Sequence, residues 1–406
     1  MRVGLISPAW PPGLTANGIV TYVANLRLGL DAVGVGSTVI ANSIPAGAKA
    51  APDVVDITRF SPPLGLKLLW KAQKKLTGSD SIEHRLGVSI GQGLAAAHGQ
   101  APLDLFELEE SFGVPAWVRG AIAAPMVVRL HGPWGLVAPA LGLPDDAAFR
   151  QRVDNERRGL QAADAVTSPS RFALTGARAV FGLPLEGAAV IPNPLAAQPP
   201  PLRWTPETHD RKSVLFVGRF DRLKGADVVL LAFKELVAAC PEAELVFVGP
   251  DRGLRDDAGT TWTFDRFIEA HLPPEARARV RMLGEQPAAA LGELRRKAFV
   301  TMVASRFETF SMTVLEALAF GSPLVAPAAA AIVELVTDGE HALLYEDASP
   351  AAAARQLIRL FRDPALAARL GAAGAEHVAR TYSPEVVARQ MHDLYRNVRQ
   401  APRPAR

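Results

Sequence analysis

Short apolar runs alternate with stretches of helical periodicity along nearly the whole chain. Residues 3–7 form an apolar run that ends in Pro8-Ala9-Trp10-Pro11-Pro12-Gly13, and from Ile19 the apolar positions Val20, Val23, Ala24, Leu26, Leu28 and Leu30 recur at helical spacing. This predicts a strand, a loop, and a helix starting near Asn17 or Gly18. Similar runs predict strands at 36–41, 103–108, 125–130, 164–170 (ending in a helix N-cap), 213–218, 243–249, 298–303, 322–325 and 342–345, and another opening at Val280. Helices are predicted at 147–162, 350–361, 365–381 and 384–398, and another ends near Ala239. Strands alternating with helices imply an α/β fold with parallel, helix-covered sheets. Between Asn193 and Lys212 periodicity fades and Pro194, Pro199, Pro200, Pro201 and Pro206 accumulate, the composition of a linker. The domain boundary is placed there, giving domains of 1–195 and 196–383 before the last helix.

The candidate chemistry centres on the stretch from Ser305 to Gly321. An apolar run there ends in a polar bend carrying Glu308, and a helical pattern follows. The first turn of a helix presents unpaired N–H groups and the positive end of its dipole, here at Phe310, Ser311 and Met312. Glu308 precedes that turn and Glu316 lies within the helix, so two carboxylates bracket an anion site. They are badly placed to bind phosphate and well placed to accept hydrogen bonds from hydroxyls on either side, the layout of ribose, diphosphate and hexose. The plainer alternative is that Thr313 and Glu316 form a capping box, or that Glu308 complements the dipole. A second strand-loop-helix corner carries Gly218, Arg219, Lys224 and Gly225, where both cations converge on one diphosphate or stand solvated at the surface. The turn Gly284-Glu285-Gln286 offers backbone for reading a nucleobase edge. His131, on a Gly-containing loop after the 125–130 strand, is either functional or structural. Gly18 permits close backbone approach at the first loop, or serves an ordinary N-cap turn, and the missing G-x-G-x-x-G counts against a dinucleotide site.

Composition changes the picture only at its edges. An apolar content of 49% with 21% charged residues is that of a globular protein, and 406 residues suffice for two domains with their own cores. A net charge of +3 without a long basic block gives no case for nucleic acid. The single cysteine, Cys240, excludes an internal disulfide framework and, with an N-terminus unlike a signal peptide, fits a cytoplasmic location. No uninterrupted apolar stretch of about 18 residues suggests a membrane span. Lys67, Lys71 and Lys75, with Lys74 beside them, lie opposite Leu66, Leu69, Trp70, Gln73 and Leu76. That basic amphipathic helix either makes peripheral contact with the inner face of the cell membrane or presents a solvated face.

Taken together, Gly218-Arg219-x4-Lys224-Gly225 and Glu308-x7-Glu316 within E-T-F-S-M-T-V-L-E-A-L-A-F-G-S-P resemble the retaining glycosyltransferases of family four. Val128-Arg129-Leu130-His131, Thr167-Ser168-Pro169-Ser170, Val190-Ile191-Pro192-Asn193 and the Pro-rich first loop with Asn17-Gly18 add to the likeness, which covers nearly the whole chain. The resemblance implies the GT-B fold, two Rossmann-like domains with parallel sheets facing a central cleft, and a last segment, 384–406, crossing back to the first domain. It implies that Arg219 and Lys224 bind the diphosphate of a nucleotide-sugar donor, that Glu308 holds its sugar, and that Glu316 takes the ribose hydroxyls. Phe310, Ser311 and Met312 would supply backbone donors, Gly18, Gly218 and Gln286 would also touch the donor, and His131 would face the transferred sugar. Loops near Asn17, Tyr22, Glu107 and Trp134 would shape the site for a sugar or lipid-linked acceptor in surface polysaccharide or glycoconjugate synthesis. The first loop departs from the family's commoner Gly-Gly in having Asn17-Gly18. No D-x-D pair occurs, so metal-independent catalysis without cofactor is expected. Another nucleotide-sugar enzyme of the same fold, an epimerase or phosphorylase, and a non-catalytic sensor are the alternatives.

Overall fold

The computed structural model describes residues 1–13, 17–45, 51–77, 82–346 and 348–401, without the side chains of Gln73, Leu76 and Thr77. The chain divides into two compact units, Met1–Pro194 with the segment from Pro384 onward, and Leu195–Ser383. The first unit runs β1 (Arg2–Ser7), α1 (Gly18–Ala32), β2 (Gly36–Ala41), β3 (Val54–Asp56), α2 (Leu64–Thr77), α3 (Ile82–Gln100) and β4 (Leu105–Glu109). It continues through α4 (Pro115–Val118), β5 (Met126–Arg129), α5 (Trp134–Ala140), α6 (Ala147–Gln161), β6 (Ala165–Ser168), α7 (Arg171–Phe181) and β7 (Ala189–Val190). Its seven-stranded sheet has the order β3-β2-β1-β4-β5-β6-β7, and the paired strands are parallel throughout. Residues buried on both faces explain why these strands read as continuous apolar runs and not as alternations.

The second unit runs β8 (Ser213–Val217), α8 (Ala226–Ala239), β9 (Glu244–Val248), the short antiparallel pair β10 (Leu254–Arg255) and β11 (Thr261–Trp262), α9 (Phe264–His271), α10 (Pro274–Arg277), β12 (Val280–Met282) and α11 (Ala288–Lys297). It ends with β13 (Val300–Met302), α12 (Met312–Ala319), β14 (Leu324–Pro327), α13 (Ile332–Leu335), β15 (Leu343–Tyr345), α14 (Pro350–Arg362) and α15 (Pro364–Thr381). The six-stranded parallel sheet has the order β12-β9-β8-β13-β14-β15. Both sheets therefore start at a central strand, grow one way, then reverse, which is the Rossmann-like pattern. The reversal falls between β1 and β4 in the first and between β8 and β13 in the second.

Helix α3 is not among the predicted elements, and two of its glycines serve packing: a Cβ on Gly87 would come 2.4 Å from that of Trp117, and one on Gly93 would come 2.9 Å from Ile57. The last helix, α16 (Pro384–Gln400), packs on α1, where a Cβ on Gly29 would lie 2.0 Å from the Pro384 carbonyl oxygen.

Beneath α1 and α16 lies a buried polar network. Glu107 of β4 accepts from the Tyr22 hydroxyl on one oxygen at 2.6 Å and from the Tyr395 hydroxyl on the other at 2.8 Å. Arg129 of β5, fully buried, stands 4.2 Å from the Tyr22 ring centroid and donates to the Ile191 carbonyl and to Asn193 Oδ1, both at 2.8 Å. Burial pushes the Glu107 carboxyl upward against the opposing pull of Arg129, and raises both tyrosines. Removing one member of a buried pair leaves the other uncompensated. Arg129→Ala should accordingly cost the first unit roughly 3–5 kcal/mol in denaturant unfolding. Arg399→Ala, which loses only a half-exposed pair with Asp104, should cost about 1 kcal/mol or less. Equal costs would contradict the assignment of a stabilising role to Arg129.

Candidate functional site

In the second unit the loop after β8 and the loop after β13 lie on either side of the strand-order reversal, where open parallel sheets bind ligands. Gly225 makes their approach possible: its φ is +69° and a Cβ there would sit 1.9 Å from the Ala304 carbonyl oxygen. Asp221 shapes the first loop by accepting from Arg219 Nε at 2.6 Å and from the Lys224 backbone N–H at 2.7 Å. Arg306 ties the loops together through a two-pronged contact with Asp227, 2.7 Å on each prong, and one to the Arg222 carbonyl at 2.8 Å. Lys224 Nζ then reaches Glu308 Oε1 at 2.6 Å. Both side chains are partly exposed, so a ligand that meets the ammonium with a negative group can meet the carboxylate with a hydroxyl.

Helix α12 starts at Met312 with Ser311 as its N-cap, so Thr313 and Glu316 do not form a capping box. The Ser311 hydroxyl makes no cap bond, and its buried oxygen has no hydrogen-bond partner among the described residues. Phe310 is buried beside it against the Tyr382 ring, and the first turn of the helix carries the positive end of its dipole. Glu316, one turn on, is partly exposed and receives a hydrogen bond from Arg295 of α11 on one of its oxygens. Gly218 sits tightly, since a Cβ there would come 2.8 Å from the Phe216 ring. Gln286 folds back to donate to the Leu283 carbonyl at 2.7 Å. Thus Arg219, Lys224, Glu308, Phe310, Ser311, Met312 and Glu316 share one sheet edge and the helix that leaves it. Asp221, Arg306 and Arg295 were missed. The first carried a signal in its spacing to Lys224, a side-chain turn of the Asp-x-x type.

The first unit treats its expected residues differently. Asn17 caps α1, its Oδ1 accepting from Ile19 N–H at 2.8 Å, and Gly18 faces open space. Leu14, Thr15 and Ala16 of that loop lie outside the described residues. Tyr22 and Glu107, expected near an acceptor loop, are buried in the network beneath α1 and α16, a correction whose cause is the strand register that pairs Glu107 with Leu5. His131 follows β5, its ring edge-on to Tyr22 with centroids 5.0 Å apart. Desolvation, with Arg129 adding to it, holds the imidazole well below its usual pKa, so it is neutral near pH 7. The backbone N–H groups of His131 and Gly132 donate to Glu110 at 2.9 and 2.7 Å. Trp134 opens α5, donates its backbone N–H to Glu156, and stacks under the Arg152 guanidinium at 3.8 Å. Among the described residues no group of three or more His, Cys, Asp or Glu side chains is placed to hold a metal ion.

Comparison with known proteins fits both units. Residues 17–194 match the model described as "Glycosyl transferase 4-like domain", and residues 203–377 match "Glycosyl transferases group 1". A D-inositol 3-phosphate glycosyltransferase of Xylanimonas cellulosilytica is 30% identical over 70% of this chain and 68% of its own. The chain belongs to the group 1 glycosyltransferases. The relative of the same name from Corynebacterium glutamicum is 34% identical, but the match spans only 45% of this chain and 43% of that protein. Sucrose-phosphate synthase from Thermosynechococcus elongatus superposes with a TM-score of 0.71 over 98% of both chains at 23% identity, a likeness of GT-B fold.

One acid in this group 1 glycosyltransferase stands apart. Glu109 ends β4 with a buried Oε2 that has no partner among the described residues, and desolvation raises its carboxyl from 4.5 to about 7. A raised folded-state value means that the protonated acid contributes stability below pH 4.5, and that this contribution is lost as pH rises through about 7. Glu109→Gln cannot ionise. Its thermal midpoint should match the parent's at pH 4.5 and exceed it by several degrees above pH 7. A constant offset across that range would refute the assignment.

Proposed function

We propose that the protein transfers a sugar from a nucleoside-diphosphate sugar to an acceptor hydroxyl, retaining the anomeric configuration and using no divalent ion. The observation that carries this is Lys224 within 2.6 Å of Glu308, beside Arg219 and the first turn of α12. Breaking a sugar–phosphate bond builds negative charge on the leaving diphosphate and positive charge on the anomeric carbon. Arg219, Lys224 and the helix terminus are fixed positive groups suited to the first. Glu308 suits the sugar's hydroxyls, and Glu316, steadied by Arg295, suits a ribose. Membership in the group 1 glycosyltransferases supports this assignment of roles.

Retention follows most simply from front-side attack, with the acceptor hydroxyl giving its proton to the leaving phosphate, since no side chain at the site is singled out as a nucleophile. His131, neutral and part-exposed at its own sheet edge, is assigned to the sugar's hydroxyls. The acceptor is a sugar or lipid-linked hydroxyl in glycoconjugate synthesis. The name shared by the matched relatives makes D-inositol 3-phosphate a necessary member of any acceptor panel.

A thermal-shift panel of nucleoside diphosphates and nucleotide-sugars should raise the midpoint for one donor base, since a ligand of the folded state stabilises it. Transfer should then be followed with that donor, the product's anomeric configuration being read by NMR. Lys224→Ala and Glu308→Ala should each lower the rate by on the order of a hundredfold or more while the unfolding midpoint holds. Activity within a few-fold of the parent for either variant would remove it from the machinery. Treatment with excess chelator should leave the rate unchanged, and a loss restored by added metal would overturn the metal-free mechanism.

A further inference from the structure

Among the described side chains of helix α2, Trp70 is the buried one. Trp70 is only 4% exposed, donates from its indole nitrogen to His84 Nδ1 at 3.1 Å and meets that ring edge-on. Seen down the helix at about 100° per residue, Leu66 falls on the same side as Trp70, while Leu64 and Leu68 fall opposite. Leu64 is 73% exposed, Leu68 60% and Leu69 64%. Along one margin of this apolar stripe run the exposed Lys67, Lys71, Lys74 and Lys75, and the helix contains no acid. A helix that is merely solvated accounts for the lysines but not for three leucines standing out from the surface. Trp117, 49% exposed, stacks on His84 with centroids 4.3 Å apart.

We infer that this face docks on an anionic phospholipid bilayer, the leucines entering the acyl boundary and the lysines meeting lipid phosphates. The observations select this partner by charge and shape. A second copy would bring four lysines against four lysines. Side chains exposed to this degree also project outward and do not line a groove for a peptide. A flat anionic surface with an apolar layer beneath satisfies both the stripe and its basic margin. The inference does not rest on the transferase assignment, and its test needs neither donor nor acceptor.

The full chain is sedimented with vesicles of phosphatidylcholine, alone or mixed with phosphatidylglycerol, at low and high salt. It should pellet with the anionic vesicles at low salt, release at high salt, and stay in solution with the neutral ones. Combining Lys67→Glu, Lys71→Glu and Lys75→Glu should weaken binding about a hundredfold. Leu68→Gln with Leu69→Gln should weaken it about tenfold with the charge intact. Both variants change exposed side chains, so their thermal midpoints should equal the parent's. Because Cys240 is buried, a polarity-sensitive dye on Leu68→Cys reports that position alone, and its emission should move to the blue on anionic vesicles. The proposal fails if the chain ignores anionic vesicles, binds neutral ones equally, or binds unaffected by the leucine pair. It also fails if gel filtration shows a dimer that Leu68→Gln dissociates.

Discussion

The contact of Gly225 with the Ala304 carbonyl governs the geometry of the second unit. The strand-order reversal brings the ends of β8 and β13 side by side, but the loops that follow them meet only because residue 225 has no side chain and takes a positive φ. Once they meet, the neighbours of that contact fall into place. Lys224 is the residue before the glycine, and Glu308 lies four beyond Ala304, near enough for a 2.6 Å hydrogen bond. Arg306, between them, spans the same seam through Asp227 and the backbone of Arg222. A cation and an acid from loops about eighty residues apart in the chain are thereby held as one site by a backbone constraint and not by their mutual attraction, which alone would be weak at a partly solvated surface.

The two sheets share a strand order and use their polar groups in opposite ways. In the second unit Lys224, Glu308 and Glu316 near the reversal stay partly exposed, and Glu316 is met by Arg295 on one oxygen. In the first unit Arg129, Glu107, Tyr22 and Asn193 are buried, with Tyr22 donating to Glu107 and Arg129 to Asn193. The difference is one of desolvation. A buried charge must be compensated by its own neighbours, so it rigidifies a core, while a charge at a sheet edge remains able to exchange its partner for a ligand.

This contrast also explains what could be read from residues in order. The strand-loop-helix punctuation around Gly218, Gly225 and Ser311 is local, and so are the positions of Lys224 and Glu308 within it. Arg295 could not be found that way, because its link to Glu316 joins α11 to α12 across an intervening strand. Glu107 falls on the predicted strand 103–108, close to the loop that follows it, but only the register with β1 shows that its side chain turns inward. Helix α3 depends on contacts of the same kind, since Gly87 and Gly93 are required by neighbours that sequence order does not display.

The return of the last helix to the first unit has the same origin. Glu107 sits inside a parallel sheet where no water reaches it, and α1 supplies one hydroxyl, from Tyr22, for one carboxylate oxygen. The second oxygen would be left without a donor by the first unit's own strands and helices, and an unsatisfied buried acceptor of this kind costs about 1–3 kcal/mol or more. Tyr395, 288 residues further on, fills that position at 2.8 Å and brings with it the apolar side of α16, Val387, Ala388 and Met391, over α1. Apolar burial gives α16 its affinity for α1 but little preference for one register along it. The hydroxyl-to-carboxylate bond adds that preference, since a shift of one residue would turn Tyr395 away and expose the acid to an unpaired state. The glycine at position 29 fixes the other end by admitting the Pro384 carbonyl, so the helix is pinned at its start by shape and near its end by charge.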